Sequence, residues 1–284
     1  MNEAAKKLFV SQPNLSATVR EVEEELGITV FMRNNRGITV TAEGEEFLGY
    51  AKQVVEQYHL LENRYLNVES KKKFSVSMQH YSFAVKAFVQ LAKEVGMDEY
   101  EFAVHETKTK EVIDNVKNLK SEIGVLYLSD FNEKVLRKLF KECDIEFKEL
   151  FTCNTYVYLW KKHPLAGKKV ITLDDLQEYP CLTFEQGVNN SFYYAEEMMS
   201  TYEYKRVIKA DDRATMLNLM VGLNGFTLCS GIISEDLNGD DYAAIPLKES
   251  EKMHIGYIKH KGTKLSKLGE IYIDALKNYE NKVL

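Results

Sequence analysis

The chain has 284 residues, 45% hydrophobic and 28% charged, with a net charge of −6 at pH 7, which is enough material for two or three compact units. It holds no apolar run long enough for a membrane span and no signal peptide, so a soluble, cytoplasmic protein is expected. Cys143, Cys153, Cys181 and Cys229 are widely spaced, and there is no C-x-x-C pair, Gly-rich phosphate loop or G-x-S-x-G nucleophile motif; no catalytic or metal-ligating residue is assigned, and an enzyme is not expected.

The first forty residues carry the most information. Ala4, Ala5 and Leu8 suit a short, closely packed helix, and Ser11 then stands as an N-cap with Pro13 in the first turn of a second helix. Leu15, Val19, Val22 and Leu26 form one apolar stripe, and Gly27 stops the helix. At about 100° per residue, Pro13, Ser16, Ala17 and Arg20 fall on the opposite face with Gln12 at its edge, a small polar front of the kind a major groove accepts. From Ile28 to Val40, two β-branched runs flank Asn34-Asn35-Arg36-Gly37 and predict a hairpin beside that helix, a wing whose Arg33 and Arg36 are placed to contact phosphate.

These residues resemble the winged helix-turn-helix of the LysR-type transcriptional regulators. The matching pattern is Ala4-Ala5, Leu8, Ser11-Gln12-Pro13, Leu15-Ser16, Val19, Val22-Glu23, Leu26-Gly27, Val30-Phe31, Arg33 and Thr41-Ala42-Glu43-Gly44. Val22, Val30 and Val40 stand where Leu is commoner, Glu43 where a small residue is usual, and Ala17 where an Arg often contacts DNA. The resemblance implies that Ser11, Gln12, Pro13, Ser16, Ala17, Arg20, Arg33 and Arg36 meet double-stranded DNA. It also implies an apolar helix before Ala4-Ala5, absent from this sequence. Without it the inner sides of Leu8, Leu15 and Val19 lack a partner, at about 1.5–3 kcal/mol for each exposed side chain. The expectation is an internal start codon or weak DNA binding. The net charge of −6 also argues for modest affinity per domain, since Glu21, Glu23, Glu24 and Glu25 offset the nearby basic residues.

Phe47, Ala51, Val54, Tyr58, Leu61 and Tyr65 follow a heptad seam, which predicts a linker helix that pairs with a second copy. The expected divisions are residues 1–41 for the winged helix-turn-helix, 42–70 for the linker, and 74–284 for an effector domain, with Lys71-Lys72-Lys73 as the hinge. A homodimer or homotetramer would place recognition helices on successive half-sites.

From Phe74 onward, strands and helices alternate, which predicts an α/β fold with a mainly parallel sheet and helices on both faces. The predicted strands are 74–78, 101–104, 123–127, 155–160, 181–184, 206–209, 226–229, 242–247 and 254–258. Helices are predicted over 83–95, 111–119, 214–221 and 266–279, with one more starting near Phe192. Two similar halves imply a cleft, with subdomain I at about 74–150 and 247–284 and subdomain II at about 151–246. The segment His163-Pro164-Leu165-Ala166, with Ile171, Leu173 and Asp175-Leu176, also resembles the LysR family, whose effector domain looks like a small periplasmic binding protein.

In such a fold the ligand belongs where strand ends meet helix N-termini. The candidate loops are Gln79-His80-Tyr81-Ser82, Ser129-Asp130, Asn189-Asn190-Ser191 with the preceding Gln186-Gly187, and Ser230-Gly231, with Thr152 near the crossover. Their amides and hydroxyls suit a small polar co-inducer, possible classes being an amino acid or a sulfur metabolite; no other cofactor is expected. The leading reading is therefore a DNA-binding regulator controlled by a small-molecule effector. The alternative is a cytoplasmic small-metabolite-binding protein with impaired or no DNA binding.

Overall fold

The computed structural model describes residues 2–34, 37–65, 71–96, 99–189, 191–232 and 234–279. It divides into two compact units, Met1–Glu69 and Ser70–Leu284.

In the N-terminal unit, α1 (Asn2–Lys7) precedes α2 (Gln12–Leu26). Ser11 caps α2: its side chain accepts from the Asn14 amide at 3.3 Å. Gly27 ends α2 in the left-handed region, at φ 67°, with its N–H donating to the Glu23 carbonyl. Glycine adopts this conformation without steric cost. The hairpin follows as β1 (Phe31–Asn34) and β2 (Gly37–Val40), antiparallel, with Phe31 opposite Val40. The long helix α3 (Ala42–Tyr65) completes the unit.

The motif residues explain the junctions. One carboxylate oxygen of Glu23 accepts from the amides of Val30 at 2.7 Å and Phe31 at 2.9 Å, tying the start of the wing to α2. The Thr41 hydroxyl accepts from the Gly44 amide at 2.8 Å, opening α3, and donates to the Thr29 carbonyl. A side chain at Gly44 would overlap the Val30 backbone, so glycine there permits the close approach of α3 to the wing.

The C-terminal unit starts with β3 (Lys72–Met78), α4 (Ser82–Val95), β4 (Tyr100–Glu106), α5 (Thr109–Lys117), β5 (Ile123–Leu128), α6 (Glu133–Glu142) and β6 (Ile145–Cys153). It continues through β7 (Tyr156–Trp160), α7 (Leu173–Leu176), β8 (Cys181–Phe184), β9 (Val207–Ala210), α8 (Arg213–Leu223), β10 (Thr227–Cys229), α9 (Glu235–Asn238), β11 (Tyr242–Pro246), β12 (Met253–His260) and α10 (Lys267–Lys277).

One sheet has the order β4-β3-β5-β12-β6. Its β3 runs parallel to β4 and β5, while β12 is antiparallel to β5 and β6. The second half repeats the plan: β8 and β9 are parallel, Cys181 bridges Phe226 beside β10, and β7 is antiparallel to both β10 and β11. The orders β9-β8-β10-β7-β11 and β4-β3-β5-β12-β6 correspond strand for strand. The antiparallel β12 and β7 qualify the expected parallel sheet, because each half receives a strand that has crossed from the other.

Burial on both faces explains the apolar strands. Ile123, Val125 and Tyr127 face a core with Phe83, Leu91 and Tyr272, while Leu126 and Leu128 face Val112, Ile113, Leu136 and Phe140. In the second half Val157 and Leu159 pack with Ile171 and Phe226, and Tyr158 packs with Leu182, Met216 and Met220.

The helix expected from Phe192 is instead a single 3-10 turn, Phe192–Tyr194, followed by extended backbone at Ala195. The chain here is held by contacts to the first half rather than by its own helical bonds. Four elements, α6, β6 and the one-turn helices α7 and α9, have no counterpart in the predicted series. Other boundaries move by one to three residues.

Candidate nucleic-acid interface and ligand cavity

On α2, Gln12, Pro13, Ser16, Ala17 and Arg20 share one side of the helix; Pro13, Ala17 and Arg20 are exposed and Gln12 and Ser16 half-buried, and Gln12 Nε2 donates to Ser16 Oγ at 2.7 Å, which orders the amide across one helical turn. The apolar side remains partly open: Leu15, Val19 and Val22 are half-buried and Leu26 is exposed. Leu8 and Val10 are exposed too, and Phe9 is 96% exposed. The face with Gln12, Ser16 and Arg20 thus carries donors, acceptors and a cation on a rigid helix, the requirement for base-edge and phosphate contacts. Arg36 lies outside the described residues, and the Arg33 side chain is likewise undescribed, although Arg33 pairs with Ile38 in the hairpin. Glu23, which read as a counter-charge in the sequence, is a positioning residue for the wing. Its half-buried carboxylate sacrifices hydration and recovers two backbone hydrogen bonds.

In the C-terminal unit the halves meet through a closed ring of hydrogen bonds. Gln79 Nε2 donates to Thr109 Oγ1 at 2.6 Å, and the Thr109 amide donates to Gln186 Oε1 at 3.1 Å. Gln186 Nε2 donates to Glu196 Oε1 at 2.9 Å, and Glu196 Oε2 accepts from the His80 amide at 2.9 Å and pairs with His80 Nδ1 at 2.8 Å. The His80 ring stacks on Phe184 with centroids 3.7 Å apart. Tyr127 Oη donates to the carbonyls of Ala195 and Glu197. The loop after β3, with Thr109 of α5 and Tyr127 of β5, thereby grips the 3-10 turn and the segment after it.

Beside this ring is a cavity of about 90 Å³, smaller than the several hundred cubic ångström typical of drug-sized sites. Its apolar wall includes Phe83, Met216, Met220 and Leu228; its polar groups include Glu196, Glu197, Arg213, Thr227 and Asn238. Burial holds the Glu197 carboxyl up at about 8, with the adjacent Glu196 adding to the effect. Burial brings the Arg213 guanidinium down to about 10, and its ion-pair partner is Glu106.

Of the sequence-selected residues, His80, Tyr81, Ser82 and Ser230 line this cavity together. Gln79 lies buried beneath, where Oε1 accepts from Tyr81 Oη at 2.9 Å and from the Tyr127 amide at 3.2 Å. The others are not among the cavity's lining residues. Ser129 is buried with its amide donating to Asn132 Oδ1 at 2.8 Å, while Asp130 is exposed. Thr152 Oγ1 is engaged by Glu149 at 2.7 Å and His254 at 3.1 Å. The Asn189 amide donates to the Gln186 carbonyl at 3.3 Å, Ser191 is exposed, and Asn190 lies outside the described residues. The N-cap of α4 is Tyr81 rather than Ser82, and neither Tyr81 nor Ser191, which caps the 3-10 turn, makes a side-chain cap hydrogen bond.

The important residues missed in the sequence are Thr109, Gln186's partner Glu196, and Glu197. Consecutive glutamates ordinarily mark a solvated face; here they are 6% and 5% exposed. Their burial depends on contacts with residues a hundred positions away, so no local pattern signals it. Among the described residues, no group of three His, Cys, Asp or Glu side chains is placed to hold a metal, and no helix is long and apolar enough to cross a membrane.

Comparison with known proteins agrees with this architecture. Residues 1–45 match the family model for the bacterial regulatory helix-turn-helix protein, lysR family, and residues 97–280 match the LysR substrate binding domain. The chain is 26% identical to the HTH-type transcriptional regulator CysL of Bacillus subtilis (strain 168), covering 99% of this chain and 93% of that protein. It is 20% identical to the HTH-type transcriptional regulator TdcA of Escherichia coli (strain K12), covering 99% and 88% respectively. The fold resembles that of a full-length, singly substituted OxyR from Pseudomonas aeruginosa, with a TM-score of 0.70 at 18% identity over 97% of this chain and 89% of that one. With a helix-turn-helix at one end and a two-halved α/β effector domain at the other, the chain belongs to the LysR family of DNA-binding transcriptional regulators.

Proposed function

We propose that α2 enters the major groove with Ser11, Gln12, Pro13, Ser16, Ala17 and Arg20, that the wing adds Arg33 and Arg36, and that the C-terminal cavity receives the effector. The single observation that carries the DNA reading is the Gln12–Ser16 hydrogen bond on the polar side of α2, which presents an ordered amide beside Pro13, Ala17 and Arg20. His80, Tyr81, Ser82 and Ser230 would face the ligand, with Gln79 holding their loop. A ligand that favours one arrangement of the two halves shifts the regulator through differential affinity alone. Residues 1–41, 42–70 and 74–284 serve as reading head, linker and effector domain in this scheme. The exposed Val54 and Tyr58 on α3 support pairing with a second copy. Such a regulator works beside the chromosome, in the cytoplasm.

Salt-dependent titration on the intergenic DNA flanking the chain's own reading frame tests the reading. Binding should weaken steeply with salt, and Arg20→Ala should reduce the logarithmic slope by about one. Equal affinity for unrelated DNA, with Arg20→Ala indistinguishable from wild type, would refute the assigned face.

A further inference from the structure

Glu197 is 5% exposed and lines the cavity, yet among the described residues it has no basic partner. Its Oε1 accepts from the Phe184 amide at 2.8 Å, and the backbone amides of Glu196 and Glu197 also donate to the carboxyl, so what it lacks is a counter-charge. The basic side chains lining the cavity are engaged elsewhere: His80 Nδ1 pairs with Glu196, and Arg213 pairs with Glu106. Across the same cavity, Thr227 is 5% exposed and its hydroxyl has no hydrogen-bond partner. Tyr158, 8% exposed, points its hydroxyl toward Asn238 without a well-formed bond. Buried polar groups ordinarily find partners, so the Thr227 and Tyr158 hydroxyls, beside a carboxyl with no counter-charge, mark where a ligand's own polar atoms belong.

Resting on the reading of this cavity as the effector site, we propose that Glu197 is a subsite for a cationic nitrogen, and that the effector is a small ammonium compound with an aliphatic body. The body would pack on Met216, Met220 and Leu228, and the Thr227 hydroxyl would take a second polar group of the ligand. An ammonium supplies the counter-charge that the buried carboxyl lacks, and charge-assisted hydrogen bonds of this type are the strong ones.

Binding is then linked to a proton. Burial keeps the Glu197 carboxyl protonated up to about 8, so an incoming ammonium displaces that proton. The other titratable groups around it are Glu196, Tyr81, Tyr127, Cys181 and Tyr204; burial raises the two tyrosines facing the cleft, the cysteine and Tyr204. The tyrosines and the cysteine remain neutral at neutral pH. His80 and Arg213 also line the cavity, where they pair with Glu196 and Glu106.

Calorimetric titration of the full chain with isoamylamine, L-leucine and isocaproate, in two buffers of different ionisation enthalpy at neutral pH, separates the possibilities. The two ammonium probes should bind with proton release and isocaproate should not. Glu197→Gln should weaken the amines about tenfold or more and abolish the release. Met220→Trp, which fills the cavity, should weaken them equally. If isocaproate alone binds and Met220→Trp removes it, the cavity stands and the ammonium subsite falls. Amine binding that survives both substitutions overturns the subsite and the cavity together. Failure of all three probes to bind also overturns the subsite.

Discussion

The two units bury their apolar residues very differently. In the C-terminal unit all of β5 is buried, and large side chains such as Phe83, Phe226 and Tyr272 are sealed from solvent. In the N-terminal unit the buried hydrophobics among the described residues are Ala5 and Val30, while Phe9 is 96% and Val54 69% exposed. One unit is held by cores on both faces of its sheets. The other is held by caps and clasps: Ser11 on α2, Glu23 on the wing, Thr41 on α3. The contrast teaches that the effector domain carries its own stability, whereas the reading head keeps apolar and polar surface available to partners.

Substitutions should separate these two modes. The largest effect belongs to the continuous core: Leu126→Ala should destabilise the C-terminal unit by about 2–5 kcal/mol, visible as a lowered calorimetric transition, and leave the helical signal of the N-terminal unit in place. A single coupled transition lowered throughout would deny the independence of the units.

The pH dependence comes next. Glu197 holds its proton in the folded chain up to about 8, against an ordinary value of 4.5. A raised folded value gives stability that is fully present below 4.5 and is lost as pH rises through about 8. Wild-type Tm for the C-terminal unit should therefore fall between mildly acidic and mildly basic pH, and Glu197→Gln should flatten that fall. Parallel profiles for the two proteins would show that Glu197 titrates at its ordinary value.

A smaller change is expected at the junction of wing and linker. Gly44→Ala forces a methyl group onto the Val30 backbone and should cost about 1–3 kcal/mol. Its signature is lost DNA affinity with an unchanged C-terminal transition. Wild-type DNA affinity would show that α3 and the wing need not approach so closely.

How legible each region was follows the same division. The caps at Ser11 and Gly27, the hairpin and the long helix are local features, written in residues within a few positions of one another. The Glu23 clasp was not, because its partners Val30 and Phe31 lie across a turn. In the C-terminal unit, β6 carried alternating Ile145, Phe147, Phe151 and Cys153, but interleaved charges disguised a strand whose burial varies along its length. Its preceding helix α6 was hidden by dense lysines around Leu136 and Phe140. Near the cavity, loops ending strands were readable by topology. The burial of Glu196 and Glu197 was not, since it arises from a non-helical segment folded onto the opposite half.

The central claim is that the polar face of α2 reads DNA. Hydrogen–deuterium exchange of the full chain, with and without a DNA site selected for binding, tests it most directly. The account predicts slowed exchange across Gln12–Leu26, with the amides of β5 unchanged. Unchanged exchange throughout α2, alongside protection confined to the C-terminal unit, would contradict it.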